Sequence, residues 1–144
     1  MKLFTIGFTQ KSAEQCFTRL KAAGVKRLVD VRLNNRSQLA GFAKRDDLPV
    51  FLREINHIDY VHLPLLAPTQ EMLDTYKKRK GAWSDYERDF LGLMASRAIE
   101  GEVARDLLAD SCLLCSEDLP DKCHRRLVAD YLSAKWGQLQ VRHL

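Results

Sequence analysis

Apolar positions along this chain follow two rhythms, short continuous runs and stripes at helical spacing, and the two alternate. Leu3-Phe4-Thr5-Ile6 is a run that stops at Gly7, as a buried strand would. Ala13, Cys16, Phe17 and Leu20 then recur at helical spacing, opened by a capping box of Ser12 and Gln15 and closed by Gly24. Leu28-Val29-Asp30-Val31 reads as a second strand, which runs into Arg32 and the turn-rich Leu33-Asn34-Asn35-Arg36-Ser37. A loop through Gly41-Phe42-Ala43-Lys44 leads to Asp47 as a helix cap, with Pro49 in the first turn and Leu48, Phe51, Leu52 and Ile55 on one stripe. Ile58 to Leu63 is a third strand, in which Tyr60 and His62 share one face, and Pro64 and Pro68 keep the next segment out of helix. Thr69 caps a short helix that breaks at Gly81, and Ser84 with Glu87 makes a second capping box ahead of Tyr86, Phe90, Leu93 and Met94. Gly101 punctuates, Val103, Leu107 and Leu108 add a turn or two, and Cys112-Leu113-Leu114-Cys115 is a fourth strand. A helix with Leu127, Val128, Tyr131 and Leu132 on one face, Gly137, and a last strand from Gln138 to Arg142 complete the chain.

Strands alternating with helices in this way predict an α/β fold. We expect a single three-layer domain over residues 1–144, with a mostly parallel sheet of about five strands and helices on both faces. Ligands of such sheets sit beyond the carboxyl ends of the strands. Gly7, Asp30, Arg32, His62, Cys115 and Glu117 all fall at those ends, so residues scattered in sequence are expected to converge.

Composition changes this picture little. A hydrophobic fraction of 46% and a charged fraction of 29% are those of a soluble globular domain. No apolar run approaches the ~20 residues of a membrane helix, and the opening segment is too short for a signal peptide, so the expectation is a cytoplasmic protein with free thiols and no membrane partner. A net charge of +4 mildly favours an anionic small molecule or nucleic acid as partner. The basic run Lys77-Lys78-Arg79-Lys80 reads as a solvated helix end rather than a nucleic-acid patch.

The candidate chemistry lies between Ser111 and Arg126. Cys112 and Cys115 match a C-x-x-C spacing, but residues three apart in a strand face opposite sides, which argues against a redox or zinc knuckle and places Cys112, like Cys16, in the core. Cys115, Cys123 and His124 offer three metal ligands. Neighbours on a helix point about 100° apart, however, so no metal is expected there. The helix after Cys115 starts at Asp118 or at Asp121, and in the second case Cys123 sits in its first turn, where free amides favour a thiolate. Asp30, in an apolar strand, needs a cationic partner. Two readings stand together: an active site, or a structural cluster in which Cys123 packs, His124 bonds a carbonyl and Arg125 pairs with Asp30 or Glu117.

Thr5-Ile6-Gly7-Phe8-Thr9, Leu28-Val29-Asp30-Val31-Arg32 followed by Ser37, and Leu114-Cys115-Ser116-Glu117 followed by Cys123-His124-Arg125 resemble the domain-of-unknown-function 488 family. The resemblance spans nearly the whole chain and is most specific at the Cys, Glu and Cys-His-Arg combination. It implies an alpha/beta fold and the location of the site, and it implies no particular reaction or cofactor. One departure is the Asn34-Asn35-Arg36-Ser37 loop, where the family pattern has a proline before the serine.

The leading functional expectation is an enzyme acting on a phosphate-bearing or otherwise anionic substrate. Cys115 or Cys123 is the nucleophile, His124 the base and Glu117 a proton carrier, with Arg32, Arg36, Lys44 and Arg125 as anchors and Gly7, Asp30 and Ser37 around the substrate. There is no G-x-x-x-x-G-K-[ST] loop, and Cys115 and Arg125 stand too far apart for a tyrosine-phosphatase loop. The alternatives are a nucleic-acid or protein binding module using exposed aromatics such as Trp83 and Trp136, and a redox-responsive protein built on Cys115 and Cys123.

Overall fold

Five parallel strands form one sheet in the order β3-β2-β4-β1-β5. They are β1 (Lys2–Gly7), β2 (Arg27–Asp30), β3 (Asp59–His62), β4 (Ser111–Cys115) and β5 (Gln140–His143). The structure, a computed structural model, describes residues 1–34, 47–116 and 120–144, without the side chain of Ile55. The expected α/β domain with a parallel five-stranded sheet is what forms.

β4 is buried at every position and lies between β1 and β2, as its unbroken apolar sequence requires. Its register sets Gly7 beside Cys115 and Asp30 beside Leu114, so three strand ends stop at one level. Backbone bonds continue the alignment beyond the sheet, from Phe8 N to the Cys115 carbonyl, Thr9 N to Ser116 and Val31 N to Leu114. The Thr9 hydroxyl adds a 2.6 Å bond to the Ser116 carbonyl.

The helices are α1 (Ala13–Ala23), α2 (Leu48–Phe51), α3 (Gln70–Lys77), α4 (Trp83–Ser96), α5 (Ile99–Glu102), α6 (Arg105–Leu108) and α7 (His124–Trp136). α1, α2 and a π turn over Leu52–Asn56 supply Phe17, Leu20, Leu48 and Leu52 to a core on one face, where they meet Phe4, Ile6, Leu28, Cys112 and Leu114. The later helices cover the other face with Phe90, Met94, Ile99, Leu108, Leu127 and Val128, against Leu3, Val29, Leu113 and Cys115. Strand parity therefore divides the cysteines as expected, with Cys112 and Cys16 on one side and Cys115 and Cys123 on the other.

The capping box of Ser12 and Gln15 forms, and Gly24 closes α1 at φ 75°. Thr69 caps α3 through Met72 N. The Ser84 and Glu87 box does not cap α4, which begins at Trp83 behind Ala82. The indole there packs on Tyr76 and Tyr86 at ring distances of 5.5 and 5.1 Å, and this aromatic contact sets the entry in place of a side-chain cap. Gly81 makes the preceding turn, where an added Cβ would meet the Thr75 carbonyl oxygen at 3.0 Å. Gly101 lies inside α5 rather than between helices. The last strand starts at Gln140, since Gly137 and Gln138 both take positive φ to turn the chain.

At the end of β5, His143 Nδ1 stands 2.6 Å from the Thr5 hydroxyl. Partial loss of solvent around this largely exposed imidazole lowers it below its ordinary range; Arg125 and Arg126 act in the same direction, and Asp130 and Asp121 oppose it. The unfolded chain thus binds the proton more readily, and stability is lost as pH falls from about 6.5 through the lower folded value. Urea midpoints should decline over that window more in the native protein than in His143→Gln. Equal declines would remove His143 from the account.

Candidate active site

α7 begins later than the sequence suggests. Neither Asp118 nor Asp121 is its cap: Cys123 occupies the N-cap position with extended backbone, φ −137° and ψ 140°, after a turn that bonds Cys123 N to the Pro120 carbonyl. Asp118 itself lies outside the described residues. Cys123 is therefore not in the first helical turn, and the expected divergence of adjacent helical side chains does not apply to it and His124. The Cys115 and Cys123 sulfurs and a His124 ring nitrogen all fall within 4.8 Å of one another.

The geometry fixes which imidazole nitrogen donates. His124 Nε2 lies 2.7 Å from the Val31 carbonyl oxygen, which only accepts, so Nε2 carries a hydrogen, and in the neutral ring Nδ1 presents its lone pair. Nδ1 faces Cys115 Sγ at 3.5 Å. The Phe90 ring, 5.6 Å away, holds the imidazole from the side. Cys123 Sγ donates to Cys115 Sγ at 2.6 Å. Burial pushes the Cys123 thiol well up, the Cys115 partner pushes it further, and His124 pulls the other way. Cys115 is the sulfur placed between the Cys123 sulfur and the His124 ring nitrogen.

Burial also raises Cys16, to about 11, and places Cys112 well above the ordinary thiol range. Both are inert core groups.

Asp30 is fully buried and accepts four bonds: from Arg32 Nε at 2.8 Å, the other guanidinium arm at 2.7 Å, Arg32 backbone N at 3.2 Å and the Tyr60 hydroxyl at 2.6 Å. The cation that Asp30 requires is therefore Arg32, two residues on, and not Arg125. The guanidinium also covers the Phe8 ring at 5.0 Å, and His62 Nε2 donates to the Arg32 carbonyl at 2.7 Å. Arg125 is 1% exposed on the core side of α7.

Above the sulfurs opens a cavity of about 390 Å³. Cys115, Ser116, Cys123 and His124 line it with Tyr76, Trp83 and Tyr86, and its charged lining is Arg32, Lys77, Lys78 and Lys122 together with Asp74, which pairs with Lys78 at 3.5 Å. Gly7, Asp30 and Arg125 are near by but not in its lining. Arg36, Ser37, Lys44 and Glu117 lie outside the described residues. A larger cavity of about 860 Å³ between α1 and the Phe51 region carries no thiol or imidazole, so chemistry favours the smaller one.

Sequence reading missed Lys122 and the Tyr76 and Trp83 wall. The basic run does end a helix and is exposed, yet Lys77 and Lys78 reach the cavity mouth. Trp83 and Trp136 are half-buried rather than exposed, the second donating to the Glu100 carbonyl at 3.0 Å.

Among the described residues, Cys115, Cys123 and His124 are the set able to hold a metal. Two thiolates on one tetrahedral zinc stand about 3.8 Å apart, whereas the sulfurs here are in direct contact at 2.6 Å.

A model of the family described as domain of unknown function DUF488 matches residues 12–132. The chain belongs to the DUF488 family. No curated protein and no solved structure matches it. The DUF488 match contains β2, β4 and the start of α7, and with them every residue lining the thiol cavity.

Proposed function

We propose that this DUF488 protein is an enzyme acting on an anionic, phosphate- or nucleotide-like substrate in the thiol cavity. The observation that carries the reading is His124 Nδ1 facing Cys115 in the lining of a cavity that also carries Lys77, Lys78 and Lys122. Cys115 gives its proton to Nδ1, and its freed electron pair forms a bond to the electrophilic centre of the substrate. The leaving group departs with its own pair and takes the proton back from the imidazole. Lys77 and Lys122 favour an anion by charge, while Arg32 and Lys78 are paired with Asp30 and Asp74, and the Trp83 and Tyr76 rings suit a planar base. Glu117, Arg36, Ser37 and Lys44 keep the roles assigned from sequence, as proton carrier and anchors. Asp30 acts through Arg32 as a positioning residue.

Competition alkylation tests this. Iodoacetamide at neutral pH should label Cys115 far faster than Cys16 or Cys112, and millimolar pyrophosphate or AMP should slow that labelling. Equal rates at Cys115 and Cys112 would end the nucleophile assignment, and labelling indifferent to both anions would end the substrate assignment.

A further inference from the structure

We propose that Cys115 and Cys123 join in a reversible disulfide, by which a peroxide-class oxidant switches the site off. The inference rests on the reading of Cys115 as the reactive sulfur. It adds a modification site and a second role for Cys123, which the substrate reaction leaves unused.

Three observations carry it. The sulfurs are in direct contact at 2.6 Å, so they can bond with little movement of the chain. Cys123 is an N-cap whose side chain accepts no bond from the helix, so changing its partner uncaps nothing. Both sulfurs line a cavity that admits a small oxidant, whereas Cys16 and Cys112 sit in the core of the opposite face, away from that cavity.

The chemistry closes in two steps. The Cys115 thiolate attacks one peroxide oxygen, the O–O bond breaks, and protonation of the departing oxygen gives water and a sulfenic acid on Cys115. Cys123 then attacks the Cys115 sulfur, the S–O bond breaks, and the hydroxide leaves as water with the Cys123 proton. Overall, two thiols and one peroxide become one disulfide and two waters. The base at His124 serves the first step, and the positive end of α7 favours thiolate when the bond is later reduced. Cys115 held in a disulfide has no thiolate to offer a substrate, so activity stops without damage to the fold.

The test uses the full chain treated with equimolar hydrogen peroxide. Trypsin cuts after Arg105, Lys122 and Arg125, which separates Cys115 from Cys123 unless they are bonded. We expect the intact mass to fall by two hydrogens, the two peptides to travel together, and iodoacetamide labelling of Cys115 to vanish in step. Dithiothreitol should restore all three. Cys112→Ala excludes linkage through the other cysteine on the same peptide, and Cys123→Ala should leave a sulfenic acid on Cys115 that dimedone traps. Oxidation of Cys115 to sulfinic acid with no link, or stoichiometric zinc that must be chelated before either thiol reacts, would overturn the proposal. AMP and pyrophosphate separate it from the substrate reading. A disulfide in a protein indifferent to both anions keeps the switch and discards the substrate, while anion protection without a disulfide does the reverse.

Discussion

Asp30→Ala is expected to lower the unfolding free energy by about 3–5 kcal/mol, because it leaves the Arg32 guanidinium buried without its carboxylate. Both side chains of the pair are almost wholly out of water, at 0% and 3% exposure, so the screening that weakens surface pairs does not operate. The Tyr60 hydroxyl and the Arg32 amide lose their acceptor as well. Urea unfolding of Asp30→Ala, Arg32→Met and the double variant would isolate the pair. We expect the double variant to recover much of the loss, since removing both charges leaves no uncompensated ion. A loss under about 1 kcal/mol for Asp30→Ala would mean that water reaches the guanidinium, contrary to its burial. The effect should also reach the site. Val31, whose carbonyl fixes the His124 tautomer, lies between the paired residues, so a loosened pair should slow Cys115 alkylation even where the protein remains folded.

Some of this was readable from the chain and some was not, for identifiable reasons. The separation of Cys112 from Cys115 followed from the two-residue period of a strand, a local property that tertiary contacts do not alter. Ser12 and Gln15 predicted α1 equally well, since both partners of a capping box lie within one turn. Strand order was not readable, because β1, β2 and β4 meet across long stretches of chain and each is apolar enough for a central place. Cap strength misled at α7: Asp121 is the better capping residue by type, yet the chain turns through Pro120 and delivers Cys123 to the cap, bringing its sulfur to Cys115. The aromatic wall was hidden for a similar reason. Trp83 looked like surface until α3 and α4 folded Tyr76, Trp83 and Tyr86 together. Local rules pointed to the candidate residues, and only the packed helices showed which atoms face one another.

His124 should carry the largest effect on reactivity. Replacing it by Phe keeps an aromatic ring against Phe90 but removes the Nδ1 acceptor, and we expect Cys115 alkylation at neutral pH to fall about a hundredfold, the lower end of what a positioned base supplies. His124→Gln separates chemistry from structure. Its amide can still donate to the Val31 carbonyl, so it should be more stable than the Phe variant, by about 1 kcal/mol for the retained hydrogen bond. It has no imidazole lone pair, so it should react as slowly as the Phe variant. The pH at which the alkylation rate rises should move upward in both, a change that a purely packing role would not produce. Rates and pH profiles unchanged in both variants, with Cys115 still the labelled residue, would show that Cys115 needs no base, and the helix N-terminus and the Cys123 donor would then be what activates it.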